Sequence, residues 1–153
     1  MPRDATTTGQ TPIAFVRAIT GAYAARGLDP SAALQKARIA PADLARSRAR
    51  VTAVQFERLC AAAMQELDDE APGWFSRPLP WGSYGMLARA SISAPTLGVA
   101  LARWCRHHGL LTDDVTLTLG QAGGQARVEI AEHRDLGALR EFALLSLLRN
   151  LHG

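Results

Sequence analysis

Apolar residues recur every three or four positions through the first half of the chain, which is the spacing of an amphipathic helix. One such stripe begins after Pro12 and stops at Gly27. A second, longer stripe follows Thr52 and Gln55, whose spacing fits a capping box. Residues 1–11 are polar and aperiodic. The pattern therefore predicts a flexible tail at residues 1–11, followed by several N-terminal helices.

The pattern changes at Gly73. Residues 73–92 are rich in glycine, proline and aromatic residues, and they predict loops with one or two strands. Beyond them, Leu97, Ala100, Leu101, Trp104, Cys105 and His108 follow the clearest helical spacing in the chain. An amphipathic helix is expected over residues 95–108.

The last third of the chain predicts a hairpin and one more helix. Apolar and polar residues alternate on both sides of the glycine-rich sequence GQAGG, which indicates a hairpin at residues 114–131 with a five-residue loop. Apolar residues surround most of a second predicted amphipathic helix, at residues 136–151. The order of elements is that of an α+β fold, and residues 12–153 are expected to form a single domain.

Composition excludes several protein classes. The chain has 153 residues, of which 48% are hydrophobic and 20% charged, as in ordinary globular proteins. No apolar run approaches the roughly 20 residues of a membrane-spanning helix. Two cysteines make no disulfide framework, so a reducing, cytoplasmic location is expected.

No arrangement of residues predicts an enzyme, a metal site or a cofactor. Gly82-Ser83-Tyr84-Gly85 lacks the spacing of a nucleophile elbow. The acidic residues at 68–70 and 113–114 have the character of solvated element ends. Cys105 and His108 share a helix face, but no second ligand cluster accompanies them.

The first 58 residues hold nine basic and four acidic residues, a balance that would suit an acidic partner such as nucleic acid. Residues 12–38 superficially match a helix-turn-helix, with Gln35, Lys36 and Arg38 in the second helix. Tyr23 is bulky where that motif usually has a small residue. Solvated helix faces explain the same charges, and DNA binding by this segment is the weaker hypothesis.

An aromatic-rich segment is the best candidate for a ligand-binding site. Bulky side chains flanked by two arginines are typical of small-molecule pockets, in which a guanidinium can bind a carboxylate. The candidate residues are Trp74, Phe75, Arg77, Trp81, Tyr84, Met86 and Arg89. The alternative is that these aromatic side chains simply fill the core.

The segment Tyr84–Leu101 carries a more specific signal. It reads YGMLARASISAPTLGVAL, with Pro95-Thr96-Leu97 followed by Ala100-Leu101. This sequence resembles the N-terminal effector-binding domain of one branch of the bacterial AraC-family transcriptional regulators. The upstream residues from Gly27 to Pro41 and the predicted hairpin are similar to the same domain. The resemblance covers most of residues 12–150.

The resemblance implies a role. Such a domain binds a small effector, often a metabolite or a lipid-like acid, and biases an attached DNA-binding domain. Family members are longer and end in two helix-turn-helix units, so a chain that ends at Gly153 would be a truncated regulator. We expect the pocket between strands of residues 74–92 and the hairpin, with Arg77 or Arg89 meeting an anion. The alternative function is a ligand-independent interaction module that forms a homodimer through the helix at 136–151.

Overall fold

The computed structural model describes residues 10–152. It divides into two compact units, which we call unit 1 (residues 1–68) and unit 2 (residues 69–153). The described residues form six α-helices and two antiparallel sheets of two strands each, which confirms the predicted α+β class. Whether residues 12–153 act as a single domain stays a prediction.

Unit 1 contains three helices and a small sheet. Its α-helices are α1 (Ile13–Ala24), α2 (Ser31–Ala37) and α3 (Ala53–Glu66), and a 3-10 turn covers Pro41–Ala45. Strand β1 (Gln10–Pro12) pairs antiparallel with β2 (Arg50–Thr52). Residues 10 and 11, which were predicted to belong to a flexible tail, are part of β1; residues 1–9 lie outside the described part of the chain.

The apolar stripes of unit 1 meet in one core. Ile13, Val16 and Ile19 of α1 are fully buried, as is Leu59 of α3. The predicted capping box is present at the start of α3, where the Gln55 amide donates to Thr52 Oγ1 at 3.2 Å and the Thr52 amide donates to Gln55 Oε1 at 3.0 Å. The first backbone N–H groups of a helix have no partner within the helix, and here two of them are hydrogen-bonded by the side chains of Thr52 and Gln55.

Unit 2 contains the other three helices and the hairpin. Helix α4 spans Ser83–Ile92, α5 spans Leu97–His108 and α6 spans Arg140–His152. The prediction of strands within residues 73–92 was wrong, because α4 occupies the second half of this segment. The glycines of this segment favoured a loop in the sequence analysis. In the structure, Gly82 adopts a left-handed conformation (φ 97°) immediately before α4 and ends the preceding loop.

The hairpin has longer strands and a tighter turn than predicted. Strand β3 (Val115–Ala122) pairs with β4 (Gln125–Glu132) in register from Val115↔Glu132 to Ala122↔Gln125. The connection is not the five residues GQAGG but only Gly123 and Gly124, both at positive φ (59° and 78°). A two-residue turn of this kind requires positive φ at both positions, which two glycines supply without strain.

The predicted last helix is confirmed, with a later start. A 3-10 turn covers Gly137–Leu139 and α6 follows it. Phe142, Ala143 and Leu147 are buried in unit 2, whereas Leu145 and Leu148 are about half exposed. Much of the helix's apolar surface is therefore used within its own unit. No helix in residues 10–152 is long and apolar enough to cross a membrane.

Candidate functional site

Two buried carboxylates hold the loop that precedes α4. Asp69 accepts hydrogen bonds at 3.0 Å from the amides of Ala71, Gly73 and Leu79. Glu70 accepts 2.7 Å bonds from the amides of Gly82 and Tyr84, at the start of α4. The prediction that this acidic run is a solvated helix end was wrong for these two residues. Their charge is stabilised by backbone amides, including those of a helix N-terminus.

A third buried carboxylate, Asp114, connects the loop to the hairpin. It accepts hydrogen bonds from the Ser76 amide and, at 2.9 Å, from the Ser76 hydroxyl. Arg134 lies beyond the hairpin and approaches Asp114 Oδ2 with its Nε at 3.1 Å, while its Nη2 donates to the Trp74 carbonyl at 2.7 Å. Burial alone raises the pKa of Asp114, but the Ser76 bonds and Arg134 outweigh it, and the pKa is lowered. Asp114 is therefore also not a solvated end.

Aromatic side chains from the loop and three helices form the interior of unit 2. Trp74 is buried edge-on against Phe75 and against Phe142 of α6, with ring centroids 6.1 and 5.2 Å apart. Phe75 in turn contacts His108 of α5 edge-on. These geometries are the favoured ones for aromatic pairs, so this cluster is packed core.

Tyr84 extends the cluster toward the surface. Its ring stacks on Trp104 of α5 at 6.1 Å, and its hydroxyl lies 3.4 Å from Nε2 of His108. Burial raises the pKa of Tyr84, an effect that a hydrogen bond with Asn150 opposes. Tyr84 of α4 therefore packs against α5, and its stacking partner Trp104 is half-buried.

His108 is a neutral histidine in the core. Burial lowers its pKa to about 4, and its Nδ1 has no hydrogen-bond partner among the described residues. The fully buried ring contacts Phe75 and Tyr84. No group of three His, Cys, Asp or Glu side chains within residues 10–152 is placed to hold a metal ion.

An open apolar groove lies where α4 and α5 meet the end of α6. It encloses about 270 Å³. Ala88, Ser91 and Ile92 line it from α4, Leu97, Ala100, Leu101 and Trp104 from α5, and Leu151 from α6. Ile92 and Leu97 at its rim are 86% and 74% exposed. Such an apolar concavity with few polar groups has the character of a small-molecule site, and its volume lies just below the roughly 300–1,000 Å³ usual for such sites.

The polar groups of the groove are few. Among its lining residues in the described chain, only Ser91 and Trp104 carry polar side-chain atoms. Ser91 is buried, and its hydroxyl has no partner within residues 10–152. An unpaired buried hydroxyl costs free energy, and this one is enclosed by protein atoms and not open to the groove.

The seven residues predicted to bind a ligand are divided between interior and surface. Trp74, Phe75 and Tyr84 come together in the aromatic cluster. Trp81 and Met86 are 53% and 59% exposed. Arg77 is exposed and donates to the Leu110 carbonyl at 2.6 Å, and Arg89 is exposed on α4, next to Ala88. None of the seven lines the groove itself; Tyr84 adjoins it through Trp104.

Sequence reasoning missed most of the groove. The apolar face of α5 was predicted from the sequence, but helical spacing alone does not show which part of that face packs against the core. Cys105 and His108 at its C-terminal half are buried, whereas Leu97, Ala100 and Leu101 line the open groove. The contribution of α4 was missed because that segment was predicted to be loop and strand.

Comparisons with known proteins agree on one family. Residues 27–153 match the family described as "Arabinose-binding domain of AraC transcription regulator, N-term". The chain is also 26% identical over 142 residues to a protein named "Ornithine utilization regulator" from Pseudomonas aeruginosa, covering 92% of this chain and 42% of the relative. The chain thus spans less than half the length of that curated relative.

Proposed function

Because this chain belongs to the family of N-terminal arabinose-binding domains of AraC transcription regulators, we propose that its ligand is a small, mainly apolar molecule that regulates an attached DNA-binding domain. The family is one of ligand-sensing regulatory domains and is not a known enzyme family. The observation that carries the proposal is the family match together with the apolar groove between α4 and α5.

The chemistry of the groove supports the ligand class. A sugar would need several buried polar partners, and the lining offers only the Ser91 hydroxyl and the Trp104 indole. A compound with an apolar body and few hydrogen-bonding groups would bury apolar surface against this lining. Leu97 and Leu101 supply that apolar surface.

An anionic group on the ligand would have a candidate anchor in Arg89 of α4. Arg89 follows Ala88 on α4 and is exposed, whereas the Arg77 guanidinium already donates to Leu110. A carboxylate at the rim would gain a charge-assisted hydrogen bond from Arg89. We therefore expect Arg89→Ala to weaken binding of an acid more than Arg77→Ala does. Equal affinity in both variants and the unchanged chain would refute an arginine anchor.

Coupling to DNA binding follows from thermodynamics. An effector shifts a regulator between two states only if it binds those states with different affinities. Helices α4 and α5 form most of the groove, and Arg103 of α5 also links them. Its Nη1 lies 3.3 Å from Oγ of Ser93, at the end of α4, and 3.5 Å from the carbonyl oxygen of Ala90 in α4. A ligand that held α4 and α5 at one spacing would therefore favour one state of the attached domain.

The test fills the groove without disturbing its surroundings. Ala100 lines the groove, and Ala102 is an exposed alanine two residues further along α5. A library of small apolar acids, alcohols and amides is screened by thermal shift against the unchanged chain, Ala100→Leu and Ala102→Leu. We expect compounds that stabilise the unchanged chain and Ala102→Leu but not Ala100→Leu, because only the first leucine occupies the groove.

A native mass spectrum of the purified chain provides a second readout. A small-molecule adduct that disappears under denaturing conditions, and that is reduced in Ala100→Leu but not in Ala102→Leu, would support the proposal. Compounds that stabilise all three chains equally would place the binding site elsewhere and overturn it.

A further inference from the structure

Neither strand of the hairpin has a further strand beside it among the described residues, and helix α5 packs against β3. Strand β4 (Gln125–Glu132) pairs with β3, and the sheet contains only these two strands among the described residues. The outer edge of β4 thus presents a row of backbone groups with no strand beside it. Exposed edges usually carry charged side chains, proline or a bulge that hinders further pairing. β4 has eight residues with no proline, its register with β3 is continuous, and its charged side chains are Arg127, Glu129 and Glu132.

The two faces of the hairpin differ. On one face, Val128 and Ile130 are half-buried opposite Leu119 and Leu117. On the other face, Arg127 and Glu129 are 78% and 65% exposed and lie two residues apart. The hairpin is therefore an apolar-in, polar-out sheet of only two strands, which helix α5 supports by packing against β3.

The sequence of β4 is complementary to itself in one antiparallel register. When Val128 faces Val128 of a second copy, Arg127 of each copy lies opposite Glu129 of the other, and Ala126 lies opposite Ile130. Directly opposed residues of an antiparallel pair share a face, so the two apolar faces continue on the same side. The opposed charges attract on the polar side.

Neighbouring registers lack this match. Shifting the centre of pairing to Arg127 or to Glu129 places two like charges directly opposite each other, which is destabilising. A shift to a centre between two residues would turn the apolar face of one copy to the polar side of the other. Among these registers, only the one centred on Val128 joins both faces favourably.

We propose that the occupant of this edge is a second copy of this chain, paired antiparallel through β4 about a two-fold axis at Val128. The result is a four-stranded sheet across two copies, held by backbone hydrogen bonds, by the Val128 pair, and by two equivalent Arg127–Glu129 pairs. A contact between identical patches closes on itself, so it yields a dimer and not a filament. This dimer does not require an effector.

The test exchanges the charges. The oligomeric state of the full chain is measured by sedimentation equilibrium for the unchanged chain, for R127E, for E129R and for the double variant R127E/E129R. Each single variant places like charges opposite each other twice, so dimerisation should weaken about tenfold or more. The double variant restores opposite charges and should restore the dimer. Both side chains are exposed, so circular dichroism should show the same fold in all four chains.

A crosslinking experiment tests the register independently. Val128→Cys places two thiols directly opposite each other across the proposed axis, within reach of a short bismaleimide. Thr118→Cys is the matched control, because Thr118 is exposed on β3 and lies away from the proposed axis. The native Cys60 and Cys105 are buried. We expect crosslinked dimers with Val128→Cys and far fewer with Thr118→Cys. A monomeric chain, a dimer unaffected by both single charge changes, or equal crosslinking in the two cysteine variants overturns the proposal.

Discussion

Asp114 lies where the hairpin begins and joins three parts of unit 2. It binds the Ser76 backbone and side chain, its Oδ2 contacts Arg134, and Arg134 in turn holds the Trp74 carbonyl. Burying a carboxylate in this way costs free energy of folding, but removing its partners while it stays buried costs more. The neighbouring Asp113 is exposed, so adjacent residues of one type have different roles.

This contrast gives a matched pair of substitutions. Asp114→Asn removes the charge that Arg134 and the Ser76 groups stabilise, and we expect it to lower the free energy of unfolding by about 2–4 kcal/mol. Asp113→Asn should change it by less than about 0.5 kcal/mol. Urea denaturation of the three chains measures both values. Similar effects of the two substitutions would mean that the buried network contributes little.

His108 makes stability depend on pH. Its pKa is about 4 in the folded chain and about 6.5 when the chain unfolds. Because the unfolded state binds the proton more readily, His108 stabilises the fold fully above pH 6.5, and this contribution is lost as the pH falls toward 4. The loss should amount to about 3 kcal/mol.

Denaturation curves recorded between pH 7 and pH 4 check this expectation. His108→Phe keeps a ring in the core and removes the titrating group, so its stability should vary much less over this interval. His133→Gln is the control, since His133 is exposed on the hairpin side and bonds Thr116. This variant should retain the full pH dependence. An unchanged slope in His108→Phe would assign the effect to another group.

At the scale of elements, periodicity was a good guide to helices and a poor guide to turns. The stripes of α1, α3 and α5 and the Thr52–Gln55 capping box were predicted correctly because they depend on local spacing. Helix α4 was missed because its one glycine and two alanines carry little apolar signal, and because Glu70 supplies the cap from outside the helix. A cap of that kind depends on tertiary structure.

The hairpin turn gives a prediction at this scale. Gly124 has φ 78°, so Gly124→Ala forces a side chain into a left-handed conformation and should cost about 1 kcal/mol. Gly123→Asn should be nearly neutral, because φ is 59° there and asparagine tolerates this region at the first position of such turns. Thermal unfolding monitored by circular dichroism compares the two. Equal destabilisation would contradict the expectation that asparagine is tolerated at Gly123 and alanine is strained at Gly124.

At the scale of the whole molecule, the sequence indicated the family but not the geometry of the site. The segment Tyr84–Leu101 carried the resemblance, and it contains α4 and most of the groove. The seven predicted residues were chosen for aromatic and basic character, whereas the groove is lined mainly by alanine, leucine and isoleucine. Such residues also fill cores, and only the packing of α4 against α5 leaves Leu97 and Ile92 exposed at a rim.

The most direct test of the account is a methyl NMR spectrum of the chain, with alanine and leucine methyl groups labelled and assigned, recorded during titration with small apolar acids and alcohols. The account predicts that a binding compound shifts the methyl signals of Ala88, Ala100 and Leu101 first and most strongly, because these residues line the groove. Shifts concentrated at other methyl groups, such as those of the hairpin, would contradict it. The account would also be contradicted if no compound in the titration series shifted the methyl signals of Ala88, Ala100 and Leu101.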